Sequence, residues 1–238
     1  MGYSRKNIET HTEECLFGVD GLYNAKMVNY KGKTAKKDGG EFYTEIVAKT
    51  ILENIEALEG IEPVKRTEDY WSSSRDCSSY KPDGVRGEEM TAMELRMQGK
   101  ISGLGEIMDY QVPLKNTIND KAGKIDVLSF DSNGVMRILE LKRKGNREDT
   151  LLRCVLEAYT YFKRVEQEKL RSEYAAKAGA PCSCLKACPI FFEDSRQYDE
   201  YTELDARPNL KALMKALEIE LILLEGTYPN YSAKILPY

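Results

Sequence analysis

The chain has 238 residues, of which 42% are hydrophobic and 31% are charged, and its formal net charge is −4. This composition is typical of a globular protein and excludes a disordered chain. No apolar run approaches the length of about 18 residues that a membrane helix needs, and the N-terminal segment MGYSRKNIETHTEE is polar, so we expect neither a signal peptide nor a membrane span. The six cysteines then predict reduced thiols and a cytoplasmic location.

The single histidine, His11, limits the kinds of catalytic and metal sites that the chain can form. It lies in a polar segment, which argues against a serine–histidine–aspartate triad, and a single histidine excludes zinc sites built from several histidines. The acidic net charge argues against a global electrostatic attraction to nucleic acid. A local basic surface can still bind phosphates, because these contacts depend on where the charges lie.

The first part of the chain predicts helices separated by polar segments. Residues 1–40 are polar, with a lysine cluster at 31–37, whereas residues 41–58 have apolar residues at helical spacing and predict an amphipathic helix. Residues 66–87 are rich in Ser, Asp and Gly, which indicates either a surface loop or a lid whose aromatic side chains contact bases. Residues 88–98 predict a short helix.

The remainder of the chain predicts most of a sheet. Strands are expected at 109–115, on both sides of a turn within 123–145, at 188–193 and at 219–225, and helices at 149–170 and 208–217. This order predicts an α/β fold with a central mixed β-sheet flanked by helices on both faces. We expect one domain over residues 1–238, with its core at about 41–193 and a C-terminal helix and strand at 208–225.

The stretch GKIDVLSFDSNGVMRILELKRKG, residues 123–145, has the alternation of a β-hairpin around an Asn-Gly turn. Side chains alternate across a strand, so its even-numbered residues share one face. That face is apolar near the turn but carries Asp126, Glu140 and Lys142 at the open end. Such charges in a buried strand pair indicate a functional site, and the alternative is a salt bridge at a frayed hairpin end.

The length of the turn decides whether the two carboxylates meet. A two-residue turn places Asp126 opposite Leu141 and on the other face from Glu140. A three-residue loop that ends in a left-handed Gly134 sets Asp126 directly opposite Glu140. We favour the three-residue loop because it gathers all three charges, including Lys142, into one site.

Two carboxylates on facing strands begin about 5 Å apart and repel unless a cation neutralises them. Oxygen-only ligation selects Mg²⁺ or Mn²⁺ over zinc. Lys142 points to the same side and can hold a water or stabilise an oxyanion. The pattern therefore favours a divalent-metal site with a lysine beside it.

These residues resemble the motif of the PD-(D/E)xK nuclease superfamily, whose restriction-endonuclease-like core is a helix, a three-stranded meander, a helix and a further strand. Asp126 matches the motif aspartate, although Ile125 replaces the usual proline, and Glu140 and Lys142 match Glu-x-Lys. The resemblance covers about residues 41–193. It implies a metal-dependent nuclease that hydrolyses phosphodiester bonds, with DNA as the expected substrate.

The resemblance also implies roles for individual residues. Asp126 and Glu140, helped by the Leu141 carbonyl, would ligate Mg²⁺ or Mn²⁺, and Lys142 would orient the attacking water. The metal would act as a Lewis acid and lower the pKa of the bound water.

Further side chains are expected around this centre. The family often adds an acidic residue from the first helix; Glu45 is our prediction, Glu41 is the alternative, and a glutamate that only stabilises the helix N-terminus is equally compatible. Some branches carry Gln-x-x-x-Tyr on the second helix, where this chain has Glu157 and Tyr161. The predicted supporting residues are Gln111, Arg153, Glu157 and Tyr161. Ion pairing on the helix surface is the alternative for the charged helical residues.

Basic residues beside the Glu-x-Lys predict contacts with a nucleic-acid backbone. They are Arg143, Lys144 and Arg147, with the lysine cluster at 31–37 as a second group. Composition does not separate DNA from RNA, and the sequence leaves both a monomer and a homodimer open. A catalytically silent nucleic-acid-binding or scaffold protein that kept the nuclease fold is the competing class.

Three cysteines lie close together after the second predicted helix: Cys182, Cys184 and Cys188. Some RecB-type nucleases of the superfamily hold an iron–sulfur cluster, and Cys77 would be the candidate fourth ligand here. The Cys-x-Cys-x-x-x-Cys spacing does not fit that pattern. We therefore expect buried or incidental thiols.

Overall fold

The computed structural model describes residues 3–81, 87–114, 116 and 123–238. Residues 82–86 of the predicted lid and residue 115 of the predicted first strand lie outside the described residues. The helices are α1 (Arg5–Leu16), α2 (Tyr43–Glu53), α3 (Glu88–Gln98), α4 (Leu151–Arg164), α5 (Gln167–Ala178), α6 (Arg196–Thr202) and α7 (Pro208–Ala216). The strands are β1 (Lys100–Ile101), β2 (Gly105–Pro113), β3 (Lys124–Phe130), β4 (Val135–Leu141), β5 (Cys184–Phe192), β6 (Leu221–Glu225) and β7 (Ser232–Leu236).

Within the described residues, the strands form one seven-stranded sheet whose spatial order follows the chain from β1 to β7. Neighbouring strands are antiparallel from β1 to β4, parallel from β4 to β6, and antiparallel again between β6 and β7. An isolated bridge between Ser102 and Ser232 joins the two ends of this order, so the sheet is strongly curled. The predicted α/β class with a mixed sheet is confirmed.

Alternate side chains of the strands pack into different cores. Val127, Leu139 and Ile190 lie in a cluster that includes residues of α3. Leu128 and Ile138, on the opposite side of the same strands, pack with residues of α4 and α5. Burying both faces explains why apolar residues occupy both parities of these strands, since each face is covered by helices. None of the helices in the described ranges is long and apolar enough to cross a membrane.

The long helical pattern predicted at 149–170 is wrong as a single helix. The chain leaves α4 at Val165, whose ψ of 141° is extended, and α5 begins at Gln167. At the break, the N–H of Val64 donates to the carbonyl of Arg164 at 2.8 Å. The Val165 side chain is therefore buried in the core, and the segment around Val64 binds the Arg164 carbonyl that the end of the helix leaves without a partner.

The predicted helix at 41–58 is shorter than expected, because regular α-helix ends at Glu53 and a 3₁₀ segment, Ile55–Gly60, follows. Helices α1 and α6 and strands β1 and β7 have no counterpart in the sequence-based prediction. Strand β1 has two residues, and of the five residues of β7 only Ala233 is buried, so neither strand has an apolar pattern by which to recognise it.

The described part of the segment predicted as a loop or lid has no helix or strand, but its aromatic residues are bound to the protein. Tyr70 is fully buried, and its N–H donates to Glu173 at 2.7 Å. Lys177 lies over the ring of Trp71, 3.7 Å from its centroid. Tyr80 donates to Glu94 at 2.9 Å. The hypothesis that Tyr70 contacts bases from a lid is therefore wrong.

Candidate active site

The turn between β3 and β4 has the longer form that the sequence analysis favours. The N–H of Asp131 donates to the carbonyl of Val135 at 3.0 Å, and Gly134 has a φ of 77°. A β-carbon on Gly134 would lie 2.8 Å from the carbonyl oxygen of Pro181, so glycine also provides space there. The same register continues along the hairpin, as in the Leu128–Ile138 pair.

This register, extended by one residue beyond the last recorded pair, sets Asp126 opposite Glu140. The carboxylate of Asp126 is held at both oxygens. Its Oδ2 accepts from the N–H of Leu141 at 3.0 Å, and its Oδ1 accepts from the Nε2 of Gln111 at 2.9 Å. The longer turn and its register agree with the prediction, and the two hydrogen bonds fix the orientation of the Asp126 side chain.

Gln111 reaches Asp126 because of an irregularity in β2. The pairing between β2 and β3 shifts between Ile107 and Asp109. After this bulge, the register places Gln111 opposite Asp126, and Gln111 has a φ of 49°, which is rare for a residue with a side chain. Strained backbone of this kind costs about 1–3 kcal/mol and is concentrated at functional sites. The sequence predicted the participation of Gln111 but gave no sign of the bulge.

Lys142 and Glu157 complete the cluster. The Nζ of Lys142 donates to Glu140 Oε1 at 2.8 Å and to Glu157 Oε2 at 2.9 Å. Their exposed fractions are 3% for Lys142, 4% for Glu140 and 7% for Glu157. The other oxygen of Glu140, Oε2, is buried and accepts no hydrogen bond from the described residues. A surface ion pair at a frayed hairpin end is therefore excluded.

Burial and mutual charge shift the pKa values of the residues in this cluster. Burial raises the pKa of Asp126 to about 7, although Lys142 acts in the opposite direction. Burial and the charge of Asp126 raise the pKa of Glu140 well above its ordinary value. Burial would lower the pKa of Lys142, but its attraction to Glu140 outweighs that effect, and Cys154 and Glu157 add to it, so this pKa lies well above the ordinary value.

Glu45 lies in a different environment from the one predicted for it. Its two carboxylate oxygens accept hydrogen bonds of 2.8 Å from the N–H groups of Asn209 and Leu210, at the beginning of α7. Burial raises the pKa of Glu45, and these hydrogen bonds oppose the shift. Glu41, the alternative, forms an ion pair with Arg5 at 2.8 Å. The assignment of Glu45 to the catalytic centre is therefore wrong, because its carboxylate caps a neighbouring helix.

Glu88 is the acidic residue that the sequence reasoning missed. It is the first residue of α3, the helix directly before strands β1 and β2. Its charge acts on the site, raising the pKa of both Asp126 and Lys142. The sequence did contain a signal, because α3 rather than α2 is the helix adjacent to the strands of the hairpin. The sequence analysis takes the helix predicted at 41–58 as the first helix of the core instead.

The two remaining predicted residues of α4 have different surroundings. Tyr161 is buried near the cluster: burial and then the charges of Glu140 and Glu157 raise its pKa. A β-carbon on Gly123 would lie 2.9 Å from the Tyr161 hydroxyl. Arg153 instead forms an ion pair of 2.7 Å with Asp149, one turn earlier. Arg153 thus takes part in an ion pair on the helix surface, whereas Glu157 contacts Lys142 and Tyr161 lies within electrostatic reach of Glu140 and Glu157.

The predicted phosphate-binding residues lie on the connection from β4 to α4. Lys144 and Arg147 are exposed, and Arg143 is half-buried. Arg147 pairs with Asp199, and Arg143 lies 3.8 Å from Glu148. These side chains follow Lys142 directly in the chain, so the basic connection borders the cluster.

The cluster could hold a metal only with a small donor set. Among the described residues, no group of three or more His, Cys, Asp or Glu side chains has an arrangement that could hold a metal ion. Two carboxylates, Asp126 and Glu140, face each other. The N–H and C=O of one strand residue point to the same side, so the Leu141 carbonyl is directed toward β3 together with its N–H. Hard oxygen donors of this kind suit Mg²⁺ or Mn²⁺.

The fold and the cluster together define an α/β protein with a curled mixed sheet and a buried carboxylate–lysine cluster where strands β3 and β4, in the middle of that sheet, meet the connection to α4. Comparisons of the chain with protein-family models, with curated proteins and with solved structures gave no match. The functional argument therefore rests on the geometry of the cluster.

Proposed function

We propose that the protein is a metal-dependent nuclease of the PD-(D/E)xK type that hydrolyses phosphodiester bonds in DNA. One observation carries the proposal. Asp126 and Glu140 face each other across adjacent antiparallel strands, and Lys142, two residues after Glu140, donates to Glu140 from the same side. A structural ion pair does not require the second carboxylate, whose burial beside Glu140 is unfavourable without further positive charge.

The order of the elements supports the family assignment. Strands β2, β3 and β4 form an antiparallel meander, α4 follows, and β5 then pairs with β4 in parallel. This is the helix–meander–helix–strand order that the resemblance implies, with α3 as the first helix. The Asp and the Glu-x-Lys lie on the second and third strands of the meander.

The residues fit a divalent cation. Glu140 Oε2 is buried without a hydrogen-bond donor among the described residues, and the pKa of Asp126 is raised to about 7. The free oxygen is a potential metal ligand, and the raised pKa reflects the cost of burying the Asp126 carboxylate, a cost that a bound cation would reduce. Asp126, Glu140 and the Leu141 carbonyl would hold Mg²⁺ or Mn²⁺, which when bound would polarise a phosphoryl oxygen and lower the pKa of a water.

Lys142 has a distinct role in this proposal. An ammonium group has three N–H donors, and the carboxylates of Glu140 and Glu157 accept from it. The third N–H can orient the attacking water or contact a non-bridging phosphate oxygen, where negative charge develops during hydrolysis. Glu157 acts through Lys142, so it is a positioning residue, as is Gln111 for Asp126.

The test is a cleavage assay with plasmid DNA and single-stranded DNA in the presence of Mg²⁺ or Mn²⁺. We expect the wild-type protein to cleave DNA only with metal, and the Glu140→Gln variant to lose cleavage by several orders of magnitude. Glu148→Gln, which removes an exposed glutamate on the neighbouring connection, is the matched control and should cleave normally.

Two results would contradict the proposal. Equal cleavage by wild type and Glu140→Gln would indicate a contaminating nuclease. DNA binding without cleavage under any metal condition would favour the catalytically silent nucleic-acid-binding protein. Preferential cleavage of RNA in the same assay would leave the proposed chemistry unchanged and would identify RNA instead of DNA as the substrate.

A further inference from the structure

A loop with internal backbone pairing carries the second group of lysines. Residues 31–42, which we call the lysine hairpin, turn back on themselves in an antiparallel manner. Lys33 bridges Phe42, and the N–H of Thr34 donates to the carbonyl of Glu41 at 2.8 Å. The ring of Phe42 also has the ammonium of Lys33 over it, 4.0 Å from the centroid. These contacts hold the base of the hairpin in a fixed conformation.

The lysine hairpin presents positive charge to solvent. Its lysines are exposed, and none forms an ion pair with a carboxylate among the described residues: Lys31, Lys33, Lys36 and Lys37. Glu41 at the base does not neutralise them, because it pairs with Arg5 at 2.8 Å. In a chain whose net charge is −4, this concentration of cations is a local exception. Such a patch attracts polyanions irrespective of the overall charge.

The lysine hairpin lies against the connection that leaves the proposed active site. The Nζ of Lys31 donates to the carbonyl of Arg147 at 2.9 Å. Two residues earlier, the side chain of Asn29 accepts from the N–H of Thr150 at 2.8 Å. The hydroxyl of Thr150 donates to the carbonyl of Val28 at 2.6 Å. The base of the hairpin is thus fixed to the beginning of α4, and its lysines continue the basic surface of the connection.

We propose that the lysine hairpin is a phosphate-binding arm that holds the DNA backbone beside the active site. The proposal rests on the proposed function, because it names the surface on which that substrate lies. Lysine binds phosphates as a point charge without reading sequence, and duplex DNA offers one negative charge per about 1.7 Å of its axis. The arm therefore contributes affinity and position rather than sequence preference.

Binding is measured without cleavage, using a fluorescein-labelled DNA duplex, fluorescence anisotropy, and EDTA to remove divalent metal. The variant is Lys36→Ala/Lys37→Ala, at the exposed end of the hairpin. We expect weaker binding and a less steep dependence of log K on log salt, by about 0.9 for each lysine that contacts a phosphate. The charge-conserving variant Lys36→Arg/Lys37→Arg should restore the slope.

The matched control is Lys100→Ala/Lys215→Ala, which removes two exposed lysines from other elements and should leave the slope unchanged. Identical salt slopes for wild type and Lys36→Ala/Lys37→Ala would overturn the proposal of a phosphate-binding arm. A loss of affinity seen only with an RNA duplex of the same sequence would also overturn it. Plasmid cleavage is measured separately. If the salt slope is reduced in Lys36→Ala/Lys37→Ala but neither wild type nor variant cleaves DNA, the phosphate-binding arm is upheld and the nuclease function is overturned. If wild type cleaves DNA but the variant binds it as wild type does, the nuclease function is upheld and the arm is overturned.

Discussion

Gln111 donates a hydrogen bond of 2.9 Å to Asp126 from a backbone conformation with a φ of 49°. Gln111 follows the bulge in β2, and its side-chain amide donates to one carboxylate oxygen of Asp126. The N–H of Leu141 donates to the other oxygen. A carboxylate fixed in this way is oriented before any ligand arrives, which is the arrangement that a metal site requires.

The Gln111→Gly variant separates strain from function. Glycine adopts a positive φ without strain, so about 1–3 kcal/mol of strain is relieved, which offsets the lost hydrogen bond of about 1.5–3 kcal/mol to a carboxylate. We expect little change in the free energy of unfolding. The Mg²⁺ concentration for half-maximal cleavage should rise about 10- to 100-fold, because an outer support of the metal ligand is lost.

Glu218→Gly is the control for Gln111→Gly. Glu218 also has a positive φ, 51°, and its exposed side chain forms an ion pair with the half-buried Lys186, 3.3 Å away. Urea unfolding and Mg²⁺ titration of cleavage are measured on both variants. An unchanged Mg²⁺ requirement in Gln111→Gly would show that the hydrogen bond from Gln111 to Asp126 does not contribute to metal binding.

Lys142→Met removes the cation shared by Glu140 and Glu157. Breaking a buried pair from one side leaves uncompensated charge and costs about 3–5 kcal/mol. We expect a loss of this size in denaturant unfolding, together with the loss of cleavage. Added Mg²⁺ should recover part of the stability if Glu140 contributes to a metal site, because a ligand that binds only the folded state stabilises it.

A double-mutant cycle with Glu157→Gln tests the same contact. Because the two side chains are in direct contact, the effects of Lys142→Met and Glu157→Gln should not add, and the coupling energy should lie within about 0.5–3 kcal/mol. Strictly additive effects would mean that Glu157 does not position Lys142.

Glu88→Gln tests the acidic residue that the structure revealed. Its charge reaches Asp126 and Lys142, so its removal should weaken Mg²⁺-dependent cleavage on the order of tenfold or more, with a small effect on stability. Glu89→Gln, at the exposed neighbouring position of α3, should have no effect on cleavage. Equal cleavage by these two variants would remove Glu88 from the site.

For Glu45→Gln, we expect the urea unfolding to change and the Mg²⁺ titration of cleavage to stay the same. Because Glu45 caps α7, we expect a loss of about 1 kcal/mol in the free energy of unfolding and an unchanged Mg²⁺ requirement. A raised Mg²⁺ requirement with normal stability would restore Glu45 as a metal-site residue.

Asp131 gives the turn a pH-dependent stability. Burial would raise the pKa of Asp131, but Arg137 and the N–H groups of Val135 and Asn133 outweigh this effect and hold the pKa below its ordinary value. A carboxylate whose pKa is lower in the folded state contributes stability above its unfolded pKa of about 3.9 and loses it as pH falls through the folded value. Asp131→Asn should therefore destabilise the protein at neutral pH, and the difference from wild type should shrink in acid.

Urea unfolding from about pH 7 to about pH 3 measures this difference. Asp205→Asn, at a fully exposed aspartate 3.6 Å from Lys211, is the control and should show no comparable pH dependence. A difference between wild type and Asp131→Asn that stays constant with pH would mean that the charge of Asp131 does not stabilise the turn.

The strong periodicities of the sequence led to correct predictions. The apolar alternation of 123–145 predicted β3 and β4, and the choice of the longer turn followed from placing Asp126 opposite Glu140. The helical spacing after the hairpin predicted α4. It did not reveal the break at Val165, because the residues on both sides are good helix formers and only a passing segment, through Val64, binds the freed carbonyl.

The sequence by itself determined that Glu140 and Lys142 share one face of a strand and limited the hairpin to two registers, because strand parity and turn chemistry are local properties. The structure decided between these registers, and the longer turn sets Asp126 opposite Glu140. Tertiary structure alone decided which helix N-terminus brings a glutamate near them. Glu45 and Glu88 both begin or nearly begin helices in sequence, but α7 packs against α2 and uses the carboxylate of Glu45, whereas the N-terminus of α3 brings Glu88 within electrostatic reach of Asp126. Helix packing is a long-range property, and periodicity within one helix does not specify which neighbour its N-terminus meets.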